Sequence, residues 1–276
     1  MKVAVVGCGS IGRRHLRNAL ALGHEVVAHD LNHGLLSLWT GDWTGRLSFA
    51  PALGGLLPAD AVLICTPAHT HGLIATRLQD AGYGGPLFVE KPLDVSVENC
   101  AVFRSWPSVV QVGYNWRFHP DMRAFRADAR ARGSRCLLFW CHTRIDRWPG
   151  FEYQEPILEC SHEIDLCVWL GADRIADASQ SGSAWSATMN DGELRCSVDW
   201  NREPDRGATC YVDGMHYEVG FSADRVAIAL SYRRELESFL RASASGVSDP
   251  EACSAAQGIT VLQFIDDARR LAGVTA

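Results

Sequence analysis

Two short stretches of this 276-residue sequence hold side chains suited to moving a proton. In Glu90-Lys91-Pro92, a lysine amine directly follows the apolar run Pro86-Leu87-Phe88-Val89, and Pro92 restricts the backbone on its far side. An amine at such a strand end can hydrogen-bond a hydroxyl and exchange a proton with it. An exposed strand-end lysine is the plainer alternative. In Ser161-His162-Glu163-Ile164-Asp165, His162 and Asp165 stand three residues apart, neighbours on one flank of a helix. There Asp165 would fix the tautomer and orientation of the imidazole, leaving one ring nitrogen to take a substrate proton. The alternative is a surface helix start capped by Ser161. Ile164, Cys167, Val168 and Gly171 recur at helical spacing and predict the buried stripe of that helix.

What would lie beside Lys91 is indicated by the opening of the chain, Lys2-Val3-Ala4-Val5-Val6-Gly7-Cys8-Gly9-Ser10-Ile11-Gly12. An apolar run enters a Gly-x-Gly-x-x-Gly turn, and residues 13–22 read as a helix, the order that binds a dinucleotide pyrophosphate. Gly7 allows the tight turn, Gly9 leaves room for phosphates, and Gly12 lets helix and strand approach. Free N–H groups around Ser10 and Ile11, at the helix start, would face the negative charge. A second strand, Glu25-Val26-Val27-Ala28-His29, ends at Asp30, an acid about 20 residues past the turn and placed to accept hydrogen bonds from a ribose. Its charge repels a 2′-phosphate and so favours NAD; His33 offsets part of that repulsion and keeps NADP as the alternative. A solvated strand-end aspartate is the plainer reading of Asp30. Lys91 would emerge where the nicotinamide ring lies.

These residues need a scaffold that brings strand ends together. Apolar runs at 61–65, 86–89 and 109–113 alternate with helical segments such as 72–81. The runs end in polar motifs: Thr66-Pro67-Ala68-His69-Thr70-His71, Glu90-Lys91-Pro92 and Tyr114-Asn115-Trp116-Arg117-Phe118. This predicts an α/β, doubly wound parallel sheet over residues 1–120, with ligands at the carboxyl edge of the strands. Asn115 and Arg117 would meet the cofactor or an anionic group of a substrate. For Arg117 a structural ion pair is the equal alternative, and Trp116 and Phe118 read as packing between domains. From residue 121 the pattern changes. A helix at 122–131 precedes alternating strands at 136–145, 175–180, 184–189, 194–200, 208–212 and 216–221, with turns at Asn190-Asp191-Gly192 and Asp213-Gly214. One helix at 161–170 interrupts them, and two more close the chain at 232–244 and 251–272. Runs of strands with few crossovers predict a second, α+β domain over 121–276, built on a large, mainly antiparallel open sheet, with a last helix that can pack back on the first domain. Trp140, Trp148, Trp185 and Trp200 read as sheet-face or subunit-contact residues.

With 47% apolar and 21% charged residues the chain can bury a full core, and its length suits about two domains of ~150 residues. The net charge of −6 offers no footprint for nucleic acid; Arg13, Arg14 and Arg17 lie on the helix beside the expected phosphate site. Gly7 interrupts the first apolar run, and no apolar stretch of about 18 residues follows, so neither a leader peptide nor a membrane span is expected. The ten cysteines are scattered without a Cys-x-x-Cys pair, several inside apolar segments (Cys65, Cys136, Cys167). They read as reduced core residues of a cytoplasmic protein, with no metal site.

Together the motifs resemble the glucose–fructose oxidoreductase / inositol dehydrogenase (Gfo/Idh/MocA) family along nearly the whole chain. The matching residues are the glycines 7, 9 and 12, Cys65-Thr66-Pro67 with His71, Glu90-Lys91-Pro92, Gly113-Tyr114-Asn115-x-Arg117-Phe118, His162-Glu163-Ile164-Asp165, and the closing Tyr232 with Leu236-Glu237-x-Phe239. The resemblance implies a Rossmann domain and an open-sheet domain that holds substrate and often builds the oligomer; an exposed antiparallel sheet face pairing with its copy predicts a homodimer or homotetramer. The resemblance also implies proton transfer by Lys91 and His162, and a Thr-Pro loop that brings Thr66, Pro67 and His71, together with Glu90, to the nicotinamide side. The implied activity is NAD(P)-dependent oxidoreduction of a secondary hydroxyl in a sugar, sugar nucleotide or cyclitol. Two departures stand out. Leu158 occupies the place, four residues before the histidine, where many relatives carry an aspartate, with Glu159 as the candidate substrate contact in its stead. The segment 144–161 is also shorter than the substrate-side loop usual in relatives. The wording Leu158-Glu159-x-Ser161-His162-Glu163-Ile164-Asp165 resembles a branch near bacterial surface-sugar and nonulosonate gene products. Two other readings stay open: on the same fold, a glycosidase-like enzyme that oxidises transiently, eliminates and re-reduces, and, motivated by the two departures, a non-catalytic dinucleotide-binding sensor or partner protein.

Overall fold

The computed structural model describes residues 1–34, 45–131, 136–144, 158, 161–182, 184–190, 194–199, 201–212, 215–220 and 224–273. The chain divides into two units, one of Met1–Tyr114 with Tyr232–Ile259 and the other of Asn115–Ser231 with Thr260–Ala276.

In the first unit, β1 (Lys2–Val6), β2 (Glu25–His29), β3 (Leu47–Phe49), β4 (Ala61–Ile64), β5 (Leu87–Glu90), β6 (Val110–Gly113) and β13 (Cys253–Ser254) form one sheet in the order β13-β6-β5-β4-β1-β2-β3. The first six strands pair in parallel, and β13 runs antiparallel along the β6 edge. Strands β4, β5 and β6 are buried at every residue, as unbroken apolar runs in a covered parallel sheet must be. Strand order reverses at β1, which has β4 on one side and β2 on the other. A crevice outside the carboxyl ends of such a pair is where a doubly wound sheet takes its ligand.

Helix α1 (Ser10–Ala21) turns Gly12, His15, Leu16, Ala19 and Leu20 inward, at the 3–4 spacing of one helix face. Leu16, Ala19 and Leu20 join a core with Val3, Val5, Val26, Ala28, Leu63 and Phe88. Leu236, Phe239 and Leu240 of a long C-terminal helix (Arg225–Ser245) complete that core. Full burial of an aromatic such as Phe239 contributes about 1.5–3 kcal/mol, so the return of the chain at Tyr232 is part of what stabilises this unit. Helix α2 (His71–Asp80) follows β4.

The second unit carries a six-stranded sheet of β7 (Cys136–Arg144), β8 (Ile175–Ser181), β9 (Ala184–Met189), β10 (Leu194–Asp199), β11 (Asn201–Val212) and β12 (Met215–Gly220), ordered β12-β11-β7-β10-β9-β8. Every pair is antiparallel except β10 with β7. Alternate residues of β9 (Trp185, Ala187, Met189) and β10 (Leu194, Cys196, Val198) are buried, the period-2 pattern of a sheet covered on one face. The helix Pro120–Ala131 (α3) precedes the sheet, and Ser161–Trp169 (α4) packs on β10 and β7.

Several boundaries differ from the sequence expectation. The stripe expected on α4 is not one-sided. Ile164 and Cys167 are buried, but Val168 is only partly so and Gly171 is exposed, whereas Ser161, His162, Glu163 and Asp165 are buried too. Asp165 is held in that buried setting by two hydrogen bonds from Arg117. Strand β11 begins at Asn201, not 208; Pro204, which cannot donate to the ladder, falls where the register with β7 shifts between Asn201 and Asp205. The helix expected at 232 begins at Arg225, its first N–H groups capped by Asp224, whose Oδ1 accepts from Val226 N at 2.8 Å and Ala227 N at 3.1 Å. Trp148, Trp200, the turns at 191–192 and 213–214, and the shortened stretch 145–157 lie outside the described residues. No described helix is long and apolar enough to cross a membrane. Among the described residues, Cys8, Cys65, Cys100, Cys167, Cys196 and Cys253 are buried, as expected of core cysteines.

Candidate active site

The glycine turn at the end of β1 places each glycine for a different steric reason. Gly7 has φ +89°, and a Cβ there would lie 2.7 Å from the Cys65 carbonyl oxygen. A Cβ on Gly12 would overlap the Gly7 carbonyl oxygen, so α1 can sit this close to the turn only without a side chain. A Cβ on Gly9 would meet nothing within 4 Å; the space beside it is open. Gly9 is the N-cap of α1, with no capping side chain and no acidic residue in the first turn. Ser10 is exposed and Ile11 half-buried. The result is a bare, positive helix end opening on free space, which suits a phosphate. Asp30, just past β2, accepts from Cys8 N through Oδ2 at 2.6 Å and from Asn32 N through Oδ1 at 2.7 Å. Each oxygen keeps a lone pair for a further donor such as a ribose hydroxyl. Burial, and then the Asp30 charge, push the Cys8 thiol up to about 12 against the opposing charge of Arg13, so it stays inert.

At the end of β4, the Thr66 hydroxyl lies 2.7 Å from that of Thr70, which in turn donates to the Pro67 carbonyl at 2.7 Å. Thr66 is therefore the donor of the first pair. Pro67 is exposed. His71, expected at the cofactor, is instead fully buried. Its Nε2 lies 2.8 Å from the Thr66 carbonyl and its Nδ1 3.1 Å from the carbonyls of both Pro92 and Leu93. Burial pushes the pKa of His71 down, outweighing the carbonyl contacts and the charges of Asp94 and Glu90 that draw it up. The ring thus joins the Thr-Pro loop to the segment just beyond Lys91. Buried Asp94 holds the same segment to α2, accepting from Gly72 N at 3.0 Å and Asn99 Nδ2 at 2.8 Å. Glu90 is also turned inward: its Oε1 pairs with His15 Nε2 at 2.7 Å, and its Oε2 accepts from Lys91 N at 3.2 Å. Lys91, the next residue, is half-buried at the carboxyl end of β5. Gly7–Gly12, Asp30, Thr66 and Lys91 therefore share one edge of one sheet.

In the second unit, residues 115–118 form a buried 3-10 turn. Asn115 donates to Ser231 Oγ at 2.9 Å. Arg117, completely buried, donates to Asp165 through Nε (2.8 Å to Oδ2) and Nη2 (2.6 Å to Oδ1), a bidentate pair. Of the two readings open for Arg117, the structure has the ion pair. Asp165, expected to orient His162, has both oxygens in that pair, which ties α4 to the 3-10 turn. His162 is buried, and the Trp116 ring meets it edge-on, centroids 6.0 Å apart at 76°. Trp116, expected between domains, packs on His162 and His119 in its own unit. Leu158 is buried, and Glu159 lies outside the described residues.

Sequence reasoning overlooked His15 and the setting of Gly113. The available signal for His15 was a histidine three residues after Gly12 on the apolar face of α1. For Gly113 it was a glycine beside a strand-end glutamate: a Cβ there would lie 3.2 Å from Glu90 Cδ.

No family model matches the chain. Among curated proteins, inositol 2-dehydrogenase 1 of Saccharopolyspora erythraea is 28% identical over 213 residues, 70% of this chain and 62% of that protein. The rhizopine catabolism protein MocA of Rhizobium meliloti is 30% identical over 142 residues, 47% of this chain and 42% of that protein. The chain thus spans less than two thirds of the length of the curated relatives it matches. Among solved structures, UDP-N-acetylglucosamine 3-dehydrogenase GnnA from Acidithiobacillus ferrooxidans superposes with a TM-score of 0.78 at 23% identity, covering 99% of this chain and 97% of the other. The myo-inositol dehydrogenase of Lactobacillus casei, in complex with NAD(H) and myo-inositol, gives 0.77 at 18% identity, covering 98% and 94%. At these identities the structures share the fold. The relatives bear out the resemblance to the Gfo/Idh/MocA oxidoreductases drawn from the motifs.

Proposed function

We propose that this protein is an oxidoreductase that uses NAD, with NADP the weaker alternative, to interconvert a secondary hydroxyl and a ketone in a sugar, sugar nucleotide or cyclitol. The observation that carries the reading is the bare N-terminus of α1, opening on free space at Gly9, on the same sheet edge as Lys91. Backbone N–H groups at the start of α1 hold the pyrophosphate. Asp30 accepts from the adenosine ribose and repels a 2′-phosphate. When bound, the nicotinamide dinucleotide supplies the redox chemistry, taking up or returning the carbinol hydrogen with its electron pair. Lys91 and His162 manage the other hydrogen: one holds the substrate hydroxyl by a hydrogen bond while its proton is removed to Nζ or a ring nitrogen. Asp165 and Arg117 act at a distance, keeping α4, and with it His162, in place. Glu159 is the candidate contact to the rest of the substrate. The relatives named for inositol and for a sugar nucleotide support this substrate class. A homodimer or homotetramer is the proposed assembly.

The test is absorbance at the nicotinamide band with a panel of inositols, sugars and sugar nucleotides, each with NAD and with NADP. Wild type is run beside Lys91→Ala and His162→Ala. Turnover by wild type, lost by at least about a hundredfold in each variant, is expected. Wild-type turnover by both variants would remove the catalytic assignment.

A further inference from the structure

We infer that His15 is a positioning residue for Lys91, acting through the carboxylate of Glu90. The inference rests on the reading of Lys91 as a proton-transfer residue. His15 lies on the inner face of α1, fully buried beside the apolar Leu16, Ala19 and Leu20. A buried imidazole is tolerated there because it hydrogen-bonds Glu90 Oε1 at 2.7 Å. Its ring is walled in by Phe88 (centroids 4.9 Å apart) and by Tyr232 (6.0 Å), over which the Arg14 guanidinium lies at 4.3 Å. Glu90 is the last residue of β5, and its carboxylate lies against Gly113 of the paired strand, where a Cβ would come within 3.2 Å of Oε1. Its second oxygen receives the backbone N–H of Lys91. One carboxylate therefore links the phosphate-binding helix to the peptide from which the lysine side chain departs. The 90–91 peptide plane sets the direction in which Nζ reaches. A shift of about 1 Å at a reacting group costs on the order of a hundredfold in rate.

The experiment compares His15→Gln, whose amide nitrogen can reach the Nε2 position, with His15→Asn, whose shorter amide cannot, and with His15→Leu. Two quantities are read: hydrogen exchange of the Lys91 amide in the protein without added cofactor, and kcat and KM with NAD and whichever carbinol wild type oxidises. Expected are an exchange rate at Lys91 raised about tenfold in His15→Asn and His15→Leu but near wild type in His15→Gln. A kcat lowered roughly ten- to hundredfold in the first two, with KM for NAD within about twofold of wild type, and recovery in His15→Gln complete the expected pattern. Unchanged exchange at Lys91 in His15→Asn overturns the inference, and so does an equal rise at Phe88 and Val89, which marks a merely structural role. Should wild type oxidise no carbinol, the enzymatic reading falls by itself, and the exchange measurement still decides whether His15 holds the Lys91 backbone.

Discussion

The Arg117–Asp165 pair gives the sharpest test of how the second unit is held together. Both side chains are excluded from water, at 0% and 1% exposure, and two hydrogen bonds of 2.8 and 2.6 Å join them. Arg117→Met leaves the Asp165 carboxylate buried without its counter-ion, and Asp165→Leu leaves the guanidinium in the same state. Breaking one partner of a buried pair costs about 3–5 kcal/mol, whereas replacing both with apolar groups of similar volume is often neutral. For a chain of this size 1 kcal/mol corresponds to roughly 2–4 °C in Tm, so each single variant is expected to melt roughly 6–20 °C below wild type. The double variant should recover most of that loss. Calorimetry on all four proteins gives the complete cycle, and the non-additivity is the quantity of interest. The reasoning is refuted if the single variants melt within about 2 °C of wild type. If they did so while KM for an anionic substrate rose, Arg117 would be a ligand residue and not a structural one.

Three further predictions concern the first unit. Gly9→Ala should keep the melting temperature within a few degrees, since its methyl group enters open space, yet weaken NAD binding at least about tenfold in calorimetry because that space is where phosphates belong. Gly12→Ala should lower stability by about 1–3 kcal/mol even without ligand, because its Cβ would overlap the Gly7 carbonyl oxygen; equal stabilities of the two variants would contradict this division of roles. Because His71 has its pKa depressed by burial, the unfolded chain binds the extra proton below the ordinary value of 6.5, and stability should fall as pH drops from about 7 towards 5. His71→Gln should flatten that slope by up to about 1.4 kcal/mol per pH unit, a change visible in Tm plotted against pH; an unaltered slope would show that His71 does not contribute.

What could be read from the sequence follows the range of the interactions involved. The glycine turn was legible because its backbone requirements are local, the φ of +89° at Gly7 and the approach of Gly12 to the Gly7 carbonyl; the crowding of Gly7 by the distant Cys65 carbonyl was not. Strands β4, β5 and β6 were legible because a fully covered parallel strand leaves no room for alternation. Asp224 shows the limit of local reading, since its cap at the start of the long C-terminal helix was a visible signal overshadowed by the stronger periodicity beginning at Tyr232. The pairs that organise the polar residues were not legible at all. Arg117 and Asp165 are 48 positions apart, and His15 and Glu90 are 75 apart. Nothing in either member's neighbourhood names the other.

That distance bears on how the chemistry-bearing residues divide. Residue type marked Lys91, His71, Glu90, Arg117, Asp165 and His162 alike as groups able to move protons or hold charge. In the fold, Glu90, His71, Arg117 and Asp165 are buried, with hydrogen bonds to the protein that can be named one by one, while Lys91 remains half-buried at a sheet edge. The buried groups are expensive to desolvate, and each is tolerated only in a fixed geometry. A fixed geometry is what a proton-transferring side chain needs from its neighbours, because a flexible support would spread its reach over positions where no reaction occurs. His15, Glu90 and His71 bracket Lys91 on both sides along the chain, through the residue before it and the two after it. With Lys91 in its proposed role, His15, Glu90 and His71 are its supports and not further catalysts.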